Sequence, residues 1–313
     1  MTKEEVLKSI GLKKRFCKDC NLPINLFDEP YFTQRLVILD SLFGCIDKFN
    51  VFCRELEQFE NEQEYFAYYN TVKDSVINMI RENSMYQKFS NDTFSDTQII
   101  KRTIPVGKKN LYIDENDGKS FISIDMKKAN FSALRHYSPD IFKGRETWEA
   151  YISLFTNHEH IKNSKYIRQV ILGALNPKKQ ITYETYLMDI LYLHIKEVMG
   201  NRVEFYSIGV DEIVICADNA EYSFEELKSV VETCQQHIGQ LVRVVKFDLK
   251  KVGDYGWIKI LDHDEVEFKT INADIFHQIV KHYWNEPIDE DDLVFYYNGQ
   301  LARFLKAVDN PWR

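Results

Sequence analysis

The sequence predicts an α+β fold: one sheet with helices on one face. Three observations predict it. Mostly apolar segments at 120–125, 205–217 and 241–262 read as strands. Long segments with apolar residues at mixed i+3 and i+4 spacing read as helices. The elements follow the order strand, helices, hairpin, helix, strand, strand.

PYFTQRLVILDSLFGCIDKFNVFCRELEQF and EQEYFAYYNTVKDSVINMIRENSMY have helical spacing, with a polar break at 60–64 between them. A loop, SNDTFSDTQ, follows. TIPVGKKNLYI and SFISID then flank Asn116-Asp117-Gly118, a hairpin signal. MKKANFSALRHYS reads as a turn into a helix. Residues 146–156 and 160–174 are helical until Asn176-Pro177 breaks the run. TYETYLMDILYLHIKEVMG is a long helix capped by Gly200. FYSIG and IVICA flank Val210-Asp211-Glu212 as a tight hairpin. SFEELKSVVETCQQHIG is a helix with a serine at its start, LVRVVKFDLKKVG and YGWIKILD are strands, and 268–313 reads as a small helical appendage.

The 313 residues carry a net charge of -8, which excludes a surface that attracts nucleic acid everywhere. The charge is uneven: 101–180 holds 15 Lys and Arg against 8 Asp and Glu. A local basic groove therefore fits. No apolar run reaches transmembrane length, and the first residues lack a signal-peptide core, so no membrane is expected. Six irregularly spaced cysteines suit a reducing compartment. Cys17 and Cys20 form a CxxC whose only nearby partners are Cys45 and Cys53, so ordinary thiols outweigh a zinc site. Tyr65, Phe66, Tyr68 and Tyr69 read as packing between helices rather than as a base-stacking surface.

Two carboxylates interrupt the apolar stretch FYSIGVDEIVICAD, and taken alone they read as a solvated turn. Asp125 closes the strand SFISID, 86 positions before Asp211. If SFISID lies beside FYSIG, Asp125 and Asp211 meet at one sheet edge. Carboxylates held that close repel unless a cation joins them. Two Mg²⁺ ions (or Mn²⁺) resolve the repulsion and serve phosphoryl transfer. Basic residues surround Asp125, and the intervening helix carries Lys165 and Arg168 one turn apart on one face.

SFISIDMKKANFSALRHYS resembles motif A of palm-type nucleic acid polymerases, in the reverse-transcriptase and family A DNA polymerase forms. GVDEIVI resembles motif C, with the Asp-Glu pair of family A, and KYIRQVILGALNP sits where motif B belongs. The likeness covers roughly 101–261. Val210 replaces the family A histidine before Asp-Glu, the Tyr-Gly ending of the fingers helix is absent, and the spacing between A and C is short.

The resemblance implies a palm sheet (101–262) with small fingers, a thumb-like or accessory helical region (1–100) and a helical appendage (263–313). It implies that Asp125, Asp211 and Glu212 form the catalytic and metal-binding set. Lys165 and Arg168 would meet a nucleoside triphosphate. Asn130 would sit where such enzymes sense the sugar 2′ position, with Phe131 as the alternative gate, and the short polar Asn130 leans toward tolerating ribonucleotides. Lys101, Arg102, Lys108 and Lys109 would contact phosphates of a primed template. The implied partners are nucleoside triphosphates, primed nucleic acid and other replication or transcription proteins, in a bacterial or virus- or phage-infected cytoplasm. Two other readings stand beside it. One is a nucleotidyl cyclase or signalling-nucleotide synthase, against which the missing second glycine before Asp211 weighs. The other is a non-catalytic palm that assembles with partners.

Overall fold

The computed structural model describes residues 1–92, 107–218, 220–262 and 265–312. Six helices come first: α1 (Lys3–Lys8), α2 (Ile10–Cys20), α3 (Tyr31–Phe43), α4 (Cys45–Leu56), α5 (Glu62–Glu82) and α6 (Ser84–Asn91). Strand β1 (Ser120–Met126) leads into α7 (Ala129–Tyr137), α8 (Trp148–Ile152), α9 (Glu159–Asn163), α10 (Lys165–Gly173) and α11 (Pro177–Met199). Next come β2 (Phe205–Ile208), β3 (Glu212–Cys216), α12 (Phe224–Glu232), α13 (Ile238–Leu241), β4 (Val242–Val252), β5 (Gly256–Leu261) and β6 (Val266–Lys269). Helix α14 (Phe276–Tyr283) and strands β7 (Val294–Tyr297) and β8 (Gln300–Arg303) follow. The chain divides into two compact units. One comprises Met1–Met79, Glu146–Ile171 and Ile271–Arg313; the other comprises Ile80–Arg145 and Leu172–Thr270.

The second unit is built on a six-stranded antiparallel sheet in the order β2-β3-β1-β4-β5-β6. Side chains alternate along its central strand. Ile122, Ile124 and Met126 enter a core with Leu187, Leu191 and Ile195 of α11 and Leu227 and Val231 of α12. Each fully buried Ile or Leu there contributes about 1.5–3 kcal/mol. Phe121 points to the opposite face and joins Val214, Phe247, Leu249 and Trp257 in a smaller cluster. The helices thus fill one face, and the second face keeps room for charged groups.

Three expectations about the strands are corrected. First, β1 pairs with β3, not with β2. Second, 107–113 is not a strand. Both edges of β1 are taken, by β3 and β4, so no edge is left for it. It runs along β2 instead: the Ile208 N–H donates to the Gly107 carbonyl at 3.3 Å and the Lys109 N–H to Ser207 Oγ at 2.9 Å. Third, the part of the chain expected as a helical tail contains the β7–β8 hairpin. Its turn, Asn298-Gly299, has φ of 49° and 79°, a left-handed pair that those two residues adopt readily. The expected helix at 223–239 also breaks after Glu232. Gly239 packs so closely on Val231 that a Cβ there would lie 2.1 Å from its carbonyl oxygen.

The first unit packs its helices around aromatic rings. Phe16 meets Phe49 at 5.0 Å and Phe52 meets Tyr65 at 5.9 Å between ring centroids. Tyr65 and Tyr69 are buried in this core. Asp19 lies within it, 2% exposed, and its oxygens accept from Tyr69 Oη (3.0 Å), Ser164 Oγ (2.7 Å) and His160 Nε2 (2.9 Å). A second buried carboxylate, Asp292, takes Lys281 Nζ at 2.5 Å and Arg35 at 3.3 Å. All six cysteines are free thiols. Burial pushes Cys20 up to about 12 and Cys45 and Cys53 to about 11, the signature of inert packed thiols.

Candidate active site

Strand alternation delivers Asp125 to the second face of the sheet, one residue before β1 ends. It lies opposite Glu212 of β3 on one side and Arg243 of β4 on the other. Asp211 stands at the hairpin tip, and its carbonyl accepts the Met126 N–H at 2.8 Å. Residues far apart in sequence thus bring three carboxylates to one end of β1. Burial pushes Asp125 up to about 6, and the charges of Glu212 and Asp211 push the same way, against Arg243 and Lys259.

The tip itself is tight. The Gly209 N–H donates to the Glu212 carbonyl at 2.7 Å, and a Cβ on Gly209 would come 3.2 Å from that oxygen. Glu212 is held from the sheet: Ser123 Oγ donates to its Oε1 at 2.6 Å, and Lys259 Nζ lies 3.9 Å from the same oxygen. Lys259 is buried over the Phe247 ring, 4.3 Å from its centroid. Burial holds its ammonium below the ordinary value, with Glu212 opposing.

A fourth acid completes the group. Glu184 of α11 is 3% exposed, and burial together with the charge of Asp211 pushes it up to about 7. Asn130 Nδ2 donates to its Oε1 at 2.9 Å. Lys127 and Lys128 carry the chain from β1 into α7. Lys128 has φ of 49°, a left-handed conformation uncommon for a residue with a side chain.

Beside the hairpin tip lies a cleft of about 340 Å³. Lys108, Lys109, Asn110 and Tyr112 form one wall, and Gly209, Asp211 and Glu212 form another. Hydrogen bonds fix the first wall. Tyr206 Oη donates to the Asn110 carbonyl at 2.8 Å, and Asn116 Nδ2 donates to the Leu111 carbonyl at 2.8 Å. Burial, then the charges of Glu212 and Glu267, push Tyr112 up to about 12.

The residues singled out in the sequence divide as follows. Asp125, Asp211 and Glu212 come together, with Asn130 half-buried on the first turn of α7. Phe131 is 3% exposed, and its ring packs on Phe142 with centroids 4.5 Å apart. Lys108 and Lys109 line the cleft, whereas Lys101 and Arg102 lie outside the described residues. Lys165 and Arg168 belong to the first unit. Lys165 is exposed there, and burial holds Arg168 below its ordinary value, opposed by Glu149. Sequence reasoning missed Glu184, Lys259 and Ser123. Nothing in their local patterns singles them out.

Among the described residues, no group of three or more His, Cys, Asp or Glu that could hold a metal ion is found, and no helix is long and apolar enough to cross a membrane. Asp125, Asp211 and Glu212 offer carboxylate oxygens only, the donor type that hard divalent cations take, and burial, then the charges of Glu212 and Asp211, raise Asp125. The chain matches no family model, no curated protein and no solved structure.

Proposed function

We propose that the chain is a compact template-directed nucleotidyltransferase that adds nucleoside triphosphates to a 3′-OH. The observation that carries this reading is the convergence of Asp125, Asp211 and Glu212 at one end of β1, in an antiparallel sheet whose one face is packed with helices. The sheet order, with the carboxylate hairpin directly beside the Asp125 strand, agrees with the palm that motifs A and C lead one to expect.

In this reading Asp125 and Asp211 hold two divalent cations, Mg²⁺ or Mn²⁺. Bound there, the cations supply neutralising charge for the triphosphate and make the 3′-OH acidic. Glu212 keeps Lys259 and Ser123 in register and assists the pair. Lys108 and Lys109 offer ammonium groups to phosphates in the adjoining cleft. The motif likeness assigns Asn130 to the sugar.

The deciding experiment supplies Mg²⁺ or Mn²⁺, labelled nucleotides and a primed template. Extension by the wild type that disappears in Asp211→Asn supports the reading. A cyclic or dinucleotide product made without primer points to a cyclase. No product from a folded chain, on DNA and RNA templates alike, removes the enzymatic reading.

A further inference from the structure

We propose that a cavity in the helical unit, at the end of α2 between α4 and α9, binds a small organic anion with an apolar body and a hydroxyl or ring N–H that donates to His160 Nδ1. The site stands apart from the acids of the sheet and does not depend on the nucleotidyltransferase reading.

The cavity holds about 510 Å³, a volume usual for small-molecule sites. Every residue that lines it belongs to the helical unit. His160 is its buried polar group, with a side chain only 4% exposed. The ring packs on Phe52 at 4.5 Å and on Phe16 at 5.8 Å between centroids. Nε2 meets Asp19 Oδ2 at 2.9 Å. A carboxylate only accepts, so Nε2 carries the proton, and in the neutral ring Nδ1 presents its lone pair. Asp19 is itself held by Tyr69 and Ser164, so the ring is fixed in this orientation.

Nδ1 has no hydrogen-bond partner among the described residues. It is also not one of the polar side-chain atoms sealed from solvent without a partner. It therefore opens on the cavity that His160 lines. An oriented acceptor in a mostly buried ring asks for a donor, because leaving it unmet costs free energy.

The charges on the wall select the other end of the ligand. Glu159 is already held by Lys162 Nζ and by the Asn163 amide. Lys48 spends one N–H on the Phe43 carbonyl, and Lys165 has no partner among the described residues. Two ammonium groups thus stand against one remaining carboxylate, Asp47. Burial pushes the Cys20 thiol up to about 12, so it adds no charge. With Val51 it forms the apolar part of the wall.

The test titrates the full chain with 4-hydroxybenzoate, benzoate and phenol by calorimetry. 4-Hydroxybenzoate should bind one to one, at least about 10-fold more tightly than either of the others. His160→Phe keeps the ring packing and should lower 4-hydroxybenzoate to the level of benzoate. Lys48→Met should lower it toward the level of phenol. His160→Phe also takes a donor from Asp19, so a second variant leaves that network alone: Val51→Trp fills the cavity and should abolish binding of all three. Thermal unfolding establishes that each variant is folded. No saturable binding by the wild type overturns the proposal. Equal binding of the three probes, or binding that survives Val51→Trp, does the same. ATP with Mg²⁺ is added as a competitor, and displacement of 4-hydroxybenzoate would make this the triphosphate site that the motif likeness implies for Lys165, which also overturns a separate site.

Discussion

Asp19 in the helical unit and Asp125 in the sheet unit are both acids withdrawn from solvent, and their surroundings are opposite. Asp19 is surrounded by donors: Tyr69, Ser164 and His160 bond its two oxygens, and Arg15 lies 3.8 Å away. Asp125 faces Glu212 across the ladder and feels Asp211 as well. A buried charge met by donors is a finished structural element. Asp125 is half-buried among like charges that Arg243 and Lys259 only partly offset, and in the proposed reading a divalent cation completes the balance. That difference separates an acid that holds the fold from the acid to which the proposed reading gives a catalytic role.

Substitution should separate the two most sharply. Asp19→Ala strands three buried donors and should cost about 3–5 kcal/mol in urea unfolding. Asp125→Asn removes a charge from a repelling group, so the metal-free stability should stay level or rise. Nucleotide addition should nevertheless fall by roughly 10³-fold, about 4 kcal/mol of barrier. If Asp125→Asn unfolds the chain as Asp19→Ala does, the contrast is wrong.

The same contrast has a pH form. The folded value for Asp125, about 6, lies above the ordinary 3.8. Its ionised form is therefore disfavoured by folding. The penalty is complete above pH 6 and is relieved as pH falls toward 4, so this residue's share of metal-free stability rises on acidification. Mg²⁺ competes with that proton. The rise in Tm on adding Mg²⁺ should therefore shrink as pH drops through about 6. Both effects should vanish in Asp125→Asn, and a Mg²⁺ shift that ignores pH argues against Asp125 as a ligand.

Smaller effects probe the flanks of the site. Glu212→Gln keeps an acceptor for Ser123 and loses the charge opposite Lys259. A loss of activity near 10-fold is expected, well short of that for Asp211→Asn, with initial rates as the measurement. Phe131→Leu should cost about 1 kcal/mol of stability through its contact with Phe142, and leave sugar preference alone. A changed sugar preference would return Phe131 to the site.

Much of the centre was legible in the sequence, for a local reason. SFISID alternates and then ends on a charge, and EIVIC begins with one, so both strands and their acids announce themselves. Neighbour choice was not legible. Whether β1 lies beside β2 or β3 is not given by the order in the chain. The acceptors and counter-charges were hidden for a different reason. Glu184 lies 54 positions from Asn130, and Ser123 lies 89 from Glu212, so only the fold makes them partners. The hairpin at 294–303 was visible in Asn298-Gly299, but a helical reading of the surrounding tail concealed it.

The crowding at Gly209 has a consequence for timing. Its N–H already holds the Glu212 carbonyl, and no methyl group fits without moving that carbonyl by tenths of an ångström. Asp211, between Gly209 and Glu212 in this tight turn, is thereby positioned as the polypeptide folds. If the proposed activity is present, heat or denaturant should remove it in step with the sheet itself.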